Sequence, residues 1–188
     1  MNYLIRKLKV EEYDMLKEFA YQAIFQRDKN NLIPRSVLDD PHIRVFYEDF
    51  GKPDDECLVV EADNKIVGAV WTRILSGNVK GFGNIDEHTP EFGISLFEEY
   101  RGKGLGTKLM TSMLELLKQK GYKRASLAVQ KDNYAVNLYK NTGFYIAKEK
   151  EEEYLMVCAL NKRKLLKNEE YEKHSKSRLE KHLAQQGT

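Results

Sequence analysis

Residues 96–110, LFEEYRGKGLGTKLM, decide how the rest of the chain is interpreted. An apolar strand pattern runs into three alternate glycines, and the glycines open a strongly apolar helix. The first N–H groups of a helix have no intrahelical partner, and the helix dipole makes that end positive. Because glycines let a phosphate approach this backbone closely, the loop predicts an anion site suited to pyrophosphate. Its glycines and basic residues are Arg101, Gly102, Lys103, Gly104 and Gly106.

Three interpretations of this loop compete. A dinucleotide-binding Rossmann unit places G-x-G-x-x-G after the first strand, whereas here the spacing is G-x-G-x-G and the loop lies in mid-chain. A P-loop requires Gly-Lys followed by Ser or Thr, and the order Gly106-Thr107-Lys108 does not supply it. The third interpretation is a glycine turn that binds nothing.

A second informative segment, residues 130–144, reads QKDNYAVNLYKNTGF. Asp132 or Asn133 is well placed to cap the start of a short helix, and Gly143 to end it. One face of this helix carries Ala135, Leu138 and Tyr139. Taken alone, the segment fits a capped core helix with a buried tyrosine equally well.

The patterns outside these two segments predict a mixed sheet with helices packed on it. The expected order is βααβββαβαββ, with helices between strands in mid-chain and hairpins flanking them, so we expect a mixed α/β (α+β) layer fold. The predicted strands are 4–8, 57–62, 66–75, 91–97, 125–129, 144–150 and 153–160. The predicted helices are 11–25, 39–50, 105–120 and 133–141.

The composition changes sharply at Asn161. Residues 161–188 carry eight Lys or Arg, four Asp or Glu and few apolar side chains. We therefore expect one domain over residues 1–160 and a charged C-terminal tail over 161–188, helical or flexible, with a docking or dimer contact as the alternative.

Charge and hydropathy limit the classes of protein to which this chain can belong. The net charge of +2 over 188 residues gives no case for nucleic acid or an anionic membrane as the main partner. No apolar run approaches the ~20 residues that span a bilayer, and the N-terminus lacks the apolar core of a signal peptide. Cys57 and Cys158 lie in apolar runs, which is typical of reduced, buried cysteines and not of a zinc site. We expect a soluble cytoplasmic protein without a metal.

The two motifs, in this order, resemble the GNAT superfamily of acetyl-CoA-dependent N-acetyltransferases. The pattern Arg-x-x-Gly-x-Gly after an apolar strand is similar to the coenzyme A loop of that family. Residues 133–144 are similar to its Asn-x-Ala-x-x-Leu-Tyr-x-x-x-Gly-Phe pattern. The resemblance extends from Leu4 to Leu160 and implies a mixed, mostly antiparallel sheet that is splayed in the middle and flanked by helices on both faces.

The resemblance also implies acetyl-CoA as the acetyl donor and assigns roles to residues. Backbone groups near Leu96 and Phe97 would hold the pantetheine arm like an added strand, and Asn133 would hydrogen-bond it. Tyr139 would lie near the sulfur and protonate the leaving thiolate, a role that suits a phenol at neutral pH. The pyrophosphate would be held by the backbone amides of Arg101, Gly102, Lys103, Gly104, Leu105 and Gly106.

The sequence indicates the general base less clearly than the acid. Some members that acetylate protein N-termini carry a glutamate on the strand before the tyrosine helix, but here residues 125–129 read ASLAV. This counts against that subfamily. Glu91, at the start of the preceding strand, is the first choice, and its alternative role is that of a solvent-exposed strand-end carboxylate. The other candidates are Asp86, Glu87 and His88.

The expected reaction is direct attack by a primary amine on the acetyl thioester in a ternary complex, with the backbone N–H of Leu96 or Phe97 polarising the carbonyl. The acceptor would be a small-molecule or peptide amine, and a homodimer is possible. The alternative hypothesis is an acyl-CoA-binding regulatory or interaction module without turnover, for which the charged tail is the main support.

Overall fold

The computed structural model of the protein describes residues 2–160. Its strands are β1 Tyr3–Lys7, β2 Glu56–Ala62, β3 Lys65–Arg73, β4 Glu91–Leu96, β5 Arg124–Gln130, β6 Tyr145–Glu149 and β7 Glu153–Ala159. Its α-helices are α1 Met15–Ala23, α2 Pro41–Arg44, α3 Leu105–Gln119 and α4 Ala135–Asn141. The order βααβββαβαββ is therefore confirmed, while the predicted tail lies outside the described residues.

The first two helices are shorter than predicted. The pattern over 11–25 is divided between a 3-10 turn, Val10–Glu12, and α1. The prediction of a helix over 39–50 is wrong, because α2 has only four residues. The physical reason is Arg73, whose guanidinium donates to the backbone oxygens of the segment after α2, so that these carbonyls do not accept helical hydrogen bonds. The acceptors are Val45 O at 2.8 Å, Glu48 O at 2.6 Å and Asp49 O at 3.0 Å.

All seven strands form one sheet in the order β1-β2-β3-β4-β5-β7-β6. Neighbouring strands are antiparallel except for β4 and β5, which are parallel. Within residues 2–160, β4 and β5 share a single ladder pair, Glu91 with Ser126. Beyond that pair the two strands separate, so the sheet is splayed in the middle as predicted. The space between residues 92–96 of β4 and residues 127–130 of β5 is called the fork below.

The sheet has two covered faces. The α3 face carries the larger core, in which Leu109 and Met113 of α3 and Tyr139 of α4 pack against the strands. The α1 face carries a second core around Phe19 of α1 and Trp71 of β3. Because side chains alternate along a strand, even-numbered residues of β4 lie on the α3 face and odd-numbered ones on the α1 face.

Both cysteines are buried, as predicted, and neither forms a disulfide. Burial raises the pKa of the Cys57 thiol well above its usual range. Among the helices of residues 2–160, none is long and apolar enough to cross a membrane.

Candidate active site

Backbone groups of β4 line the fork. The Phe97 N–H donates to Val67 O of β3 at 3.0 Å, and the Ser126 N–H of β5 donates to Pro90 O, just before β4, at 3.0 Å. Odd-numbered residues at this end of β4 therefore bond to β3, whereas even-numbered ones face β5. Since the ladder with β5 ends at Glu91, the N–H groups of Ile94 and Leu96 point into the fork. Of the two N–H groups predicted to polarise a carbonyl, Leu96 has this direction and Phe97 is bonded to β3.

The glycine loop leaves the start of α3 open. Gly102 and Gly104 have φ values of +70° and +78°, in the left-handed region that favours glycine. A Cβ atom at either position would meet nothing within 4 Å. Gly104 is the N-cap of α3, and no side chain of residues 2–160 bonds to the N–H groups of the first turn. This 15-residue helix therefore presents uncapped donors and its positive end to an approaching anion, and the loop fits a pyrophosphate.

The two basic side chains of the loop behave differently. Arg101 folds back, and its Nε donates to Leu96 O at 2.8 Å while its terminal nitrogen lies 3.4 Å from Gln22 O. Its guanidinium thus ties the end of β4 to α1. Lys103 is exposed, with its ammonium 5.4 Å from the centroid of the Tyr100 ring, and it supplies the positive charge that faces solvent.

Gly106 lies between the end of β4 and the tyrosine helix α4. A Cβ at this position would lie 3.5 Å from Leu96 of β4 and 3.5 Å from Leu138 of α4. The first turn of α3 therefore packs between the strand and the tyrosine helix. This places the anion loop at the end of the fork where the two strands are farthest apart.

The N-cap of α4 is Tyr134, so neither predicted cap, Asp132 or Asn133, holds that position, but the Asn133 side chain bonds to the first residue of the helix. Its Oδ1 accepts the Ala135 N–H at 2.9 Å. The other candidate cap, Asp132, instead forms an ion pair with Arg27 at 2.9 Å. The side-chain amide nitrogen of Asn133 forms no hydrogen bond with any part of the chain that the structure describes, so it remains a donor for a ligand.

Tyr139 lies on the inner side of α4 and is 9% exposed. Its ring packs against Phe144, with the centroids 6.1 Å apart. Burial raises the pKa of the phenol well above its usual range, so Tyr139 is protonated at neutral pH. Across residues 2–160 its hydroxyl has no hydrogen-bond partner, which leaves the proton available.

Glu91 is buried, with 2% of its surface exposed, so its alternative role as an exposed strand-end carboxylate is wrong. It points to the α1 face, where Oε1 accepts the Gly83 N–H at 2.7 Å. Its Oε2 is buried without a partner among the described residues. Burial raises the pKa of Glu91 to about 7, although the Gly83 hydrogen bond and the charge of Lys150 act in the opposite direction.

A glycine-rich loop, residues 76–88, covers Glu91 and is called the glycine lid. A Cβ at Gly81 would lie 2.0 Å from Glu91 Oε2, and a Cβ at Gly83 would lie 2.7 Å from the carbonyl carbon of Leu127. Only glycine permits this approach. Phe82 holds the lid from both sides, since its ring stacks on Phe46 with the centroids 6.1 Å apart and its carbonyl accepts Lys150 Nζ at 3.3 Å.

The other predicted base candidates belong to the lid and are held away from Glu91. Asp86 accepts the His88 N–H at 2.9 Å and forms an ion pair with Arg124. Hydrogen bonds from Thr89 and His88, together with Arg124, lower the pKa of Asp86 to about 2. Glu87 and His88 are exposed. Among the candidates, Glu91 is the carboxyl with a raised pKa at the closed end of the fork.

The structure thus places Glu91 on the α1 face of the sheet and Tyr139 in the core of the α3 face. Sequence reasoning missed Ser126, the ladder partner of Glu91, whose Oγ is also buried without a partner among the described residues. The available signal was a single hydroxyl inside the apolar run of β5.

Comparisons with known proteins agree with this geometry. The profile of the Acetyltransferase (GNAT) family matches residues 20–144. An N-alpha-acetyltransferase of Sulfurisphaera tokodaii is 29% identical over 77% of this chain and 95% of its own. A mycothiol acetyltransferase of Corynebacterium aurimucosum is 44% identical over 34% of this chain, and the match spans only 22% of that enzyme.

A solved structure shows the same fold. PaiA N-acetyltransferase from Thermoplasma acidophilum, in complex with coenzyme A, superimposes with a TM-score of 0.60 and 20% identity, over 85% of this chain and 99% of its own. With the family match covering most of the chain, the protein belongs to the acetyltransferase (GNAT) family and is an acyltransferase.

Proposed function

We propose that the protein transfers an acetyl group from acetyl-CoA to a primary amine in a ternary complex, and that residues 1–160 contain this activity. The observation that carries the proposal is the fork itself, which runs from the uncapped start of α3 to the buried carboxyl of Glu91. A thioester held along it would have an anion site at one end and a base of raised pKa at the other.

In this proposal the chain binds the donor mainly through its backbone. The amides of residues 101–106 hold the pyrophosphate, because the start of α3 has unpaired N–H groups and open space beside two glycines. The free edge of β4 around Leu96 holds the pantetheine arm, whereas the Phe97 N–H is already bonded to β3, and the side-chain amide of Asn133 donates to the arm. The Ile94 N–H, which also points into the fork and lies nearer to Glu91 than the Leu96 N–H does, polarises the thioester carbonyl.

The proton transfers follow from the two titratable groups. Glu91, with its pKa of about 7, takes one proton from the ammonium group of the acceptor, so that the nitrogen can attack the carbonyl carbon. The C–N bond forms and the C–S bond breaks. Tyr139 gives its phenolic proton to the departing thiolate and regains one when the new amide nitrogen loses its excess proton. The sum is an amide, a free thiol and one proton released to solvent through Glu91.

The acceptor approaches from the α1 face. Glu91 points to this face, and the glycine lid and α1 border it. Two relatives are named differently, one as an N-alpha-acetyltransferase and the other as a mycothiol acetyltransferase, so the family names do not select one acceptor for this chain. β5 carries Ala128 and Ser126 on this face and no carboxylate, so Glu91 of β4 is the acid group of the ladder pair at the closed end of the fork.

The test is release of free thiol from acetyl-CoA in the presence of an amine panel of polyamines, amino acids, aminoglycosides and peptides. We expect thiol release with at least one class and formation of its acetylated product. Tight binding of acetyl-CoA without thiol release from any amine would contradict the proposal and favour a binding module without turnover.

A further inference from the structure

Four buried side-chain atoms of residues 2–160 lack a hydrogen-bond partner: Trp71 Nε1, Thr72 Oγ1, Glu91 Oε2 and Ser126 Oγ. Two of them belong to the same place in the sheet. Glu91 and Ser126 form the ladder pair that joins β4 to β5, and the fork begins directly beyond it. The base of the proposed reaction therefore has a second unpartnered polar atom beside it, on the opposite arm of the fork.

Both side chains lie on the α1 face. The residues flanking Ser126, Ala125 and Leu127, belong to the core on the α3 face, so Ser126 itself points the other way. Adjacent strands lie about 4.8 Å apart, which brings the two side chains into the same small volume. Even so, the Ser126 hydroxyl does not bond to Glu91 in this structure.

Two polar atoms buried without partners are costly to keep, unless a ligand pairs with them. A carboxylate oxygen accepts hydrogen bonds, and a hydroxyl oxygen also accepts them. An ammonium group carries only donors, so it can satisfy both atoms at once. The lid bonds to Oε1 of Glu91 through the Gly83 N–H, whereas Gly81 lies against Oε2 without bonding to it.

We propose that Ser126 is a positioning residue for the acceptor, whose amine docks at the closed end of the fork by donating to Glu91 Oε2 and Ser126 Oγ. This inference rests on the proposed function. When Glu91 takes one proton, the hydrogen bond to Ser126 keeps the nitrogen in place. The nitrogen then turns its new lone pair toward the thioester carbon, and Ser126 keeps its own hydroxyl proton throughout.

The glycine lid covers this docking point. Gly81 lies against Oε2 of Glu91, and Gly83 lies against the backbone of Leu127 and Ala128, beside Ser126. The amine therefore reaches the pair when the lid is displaced. Until the acceptor displaces the lid, the lid excludes water from Glu91 Oε2 and Ser126 Oγ.

The test is the Ser126→Ala variant of the full chain, assayed with the amine that gives the most thiol release. Loss of one hydrogen bond to a charged group should raise the KM for this amine by about 10-fold or more. The Kd for acetyl-CoA should stay within about twofold, because Ser126 does not face the anion loop. The melting temperature should not fall, since the hydroxyl has no partner to lose.

Thr72→Val is the matched control. It removes another buried and unpartnered hydroxyl, but Thr72 pairs with Phe92 and lies on the α3 face. Its KM for the amine should equal that of the wild type. An unchanged amine KM in Ser126→Ala, with the wild type active, would overturn this inference alone. An equal rise in both variants would overturn it too, and absence of thiol release by the wild type would overturn the proposed function and this inference together.

Discussion

Replacing Glu91 with glutamine should make the protein more stable and less active at the same time. Glutamine keeps the shape of the side chain and an oxygen for the Gly83 N–H, which bonds to Glu91 at 2.7 Å. It cannot ionise. Because burial raises the pKa of Glu91 from 4.5 to about 7, ionising this carboxyl costs ~3 kcal/mol of folding free energy at 1.36 kcal/mol per pKa unit.

The pH dependence has a definite sign. A carboxyl whose pKa is higher in the folded than in the unfolded state binds more protons when folded, so its contribution to stability is lost as pH rises from about 4.5 to about 7. The Glu91→Gln variant has no carboxyl to ionise at this position, so it does not lose this stability as pH rises. The variant should exceed the wild type by roughly 3 kcal/mol in free energy of unfolding at pH 8, and the two should be nearly equal near pH 4. Lys150 and Glu153 are the charged neighbours that act on Glu91, and both are retained.

Urea unfolding across this pH range and the pH dependence of kcat/KM are the measurements. In the wild type kcat/KM should rise with pH around a midpoint near 7. In the Glu91→Gln variant this rise should be absent and the rate should fall by about 10²-fold. Glu87→Gln is the matched control, because Glu87 is an exposed carboxyl of the glycine lid and should change stability by less than about 0.5 kcal/mol. The reasoning is refuted if Glu91→Gln is no more stable than the wild type at pH 8. A retained rate with the same pH profile would remove Glu91 as the base.

Three further substitutions test the rest of the site. Tyr139→Phe should lower kcat by ~10²-fold and leave the melting temperature and acetyl-CoA affinity nearly unchanged, because the hydroxyl has no partner among the described residues; full activity would end its role as the acid. Gly104→Asp should weaken acetyl-CoA binding by about 10-fold or more in calorimetric titration, whereas Gly121→Asp, with φ of +87° and open space at the other end of α3, should not. Gly81→Ala would place a Cβ 2.0 Å from Glu91 Oε2, so this substitution should open the lid to water and move the pH midpoint of kcat/KM below 7. Gly77→Ala is the control, because a Cβ there would meet no atom of residues 2–160 within 4 Å, and it should leave the midpoint unchanged. An unmoved midpoint in the Gly81 variant would show that the lid does not set the pKa.

Local patterns were enough to predict most elements and the anion site. The order of strands and helices follows from apolar spacing, and the open start of α3 follows from the glycines at 102 and 104, whose backbone conformations depend on neighbouring residues only. The hydrogen bond between the Asn133 side chain and the start of α4 is equally local, since donor and acceptor are two residues apart. The error in the length of α2 came from Arg73, a side chain 28 residues from the Val45 carbonyl to which it donates.

The sequence by itself therefore determined the family, the order of elements and the glycine loop at the start of α3, because each depends on patterns within a few positions of the chain. Only the tertiary structure decided that Glu91 is buried under a lid, that its Oε2 is unpartnered, and that Ser126 lies beside it. Ser126 is 35 positions from Glu91 along the chain, and the pairing of β4 with β5 brings them together. The pKa of a carboxyl depends on what excludes water from it, and in a folded chain that is set by packing between segments whose patterns do not show that they meet.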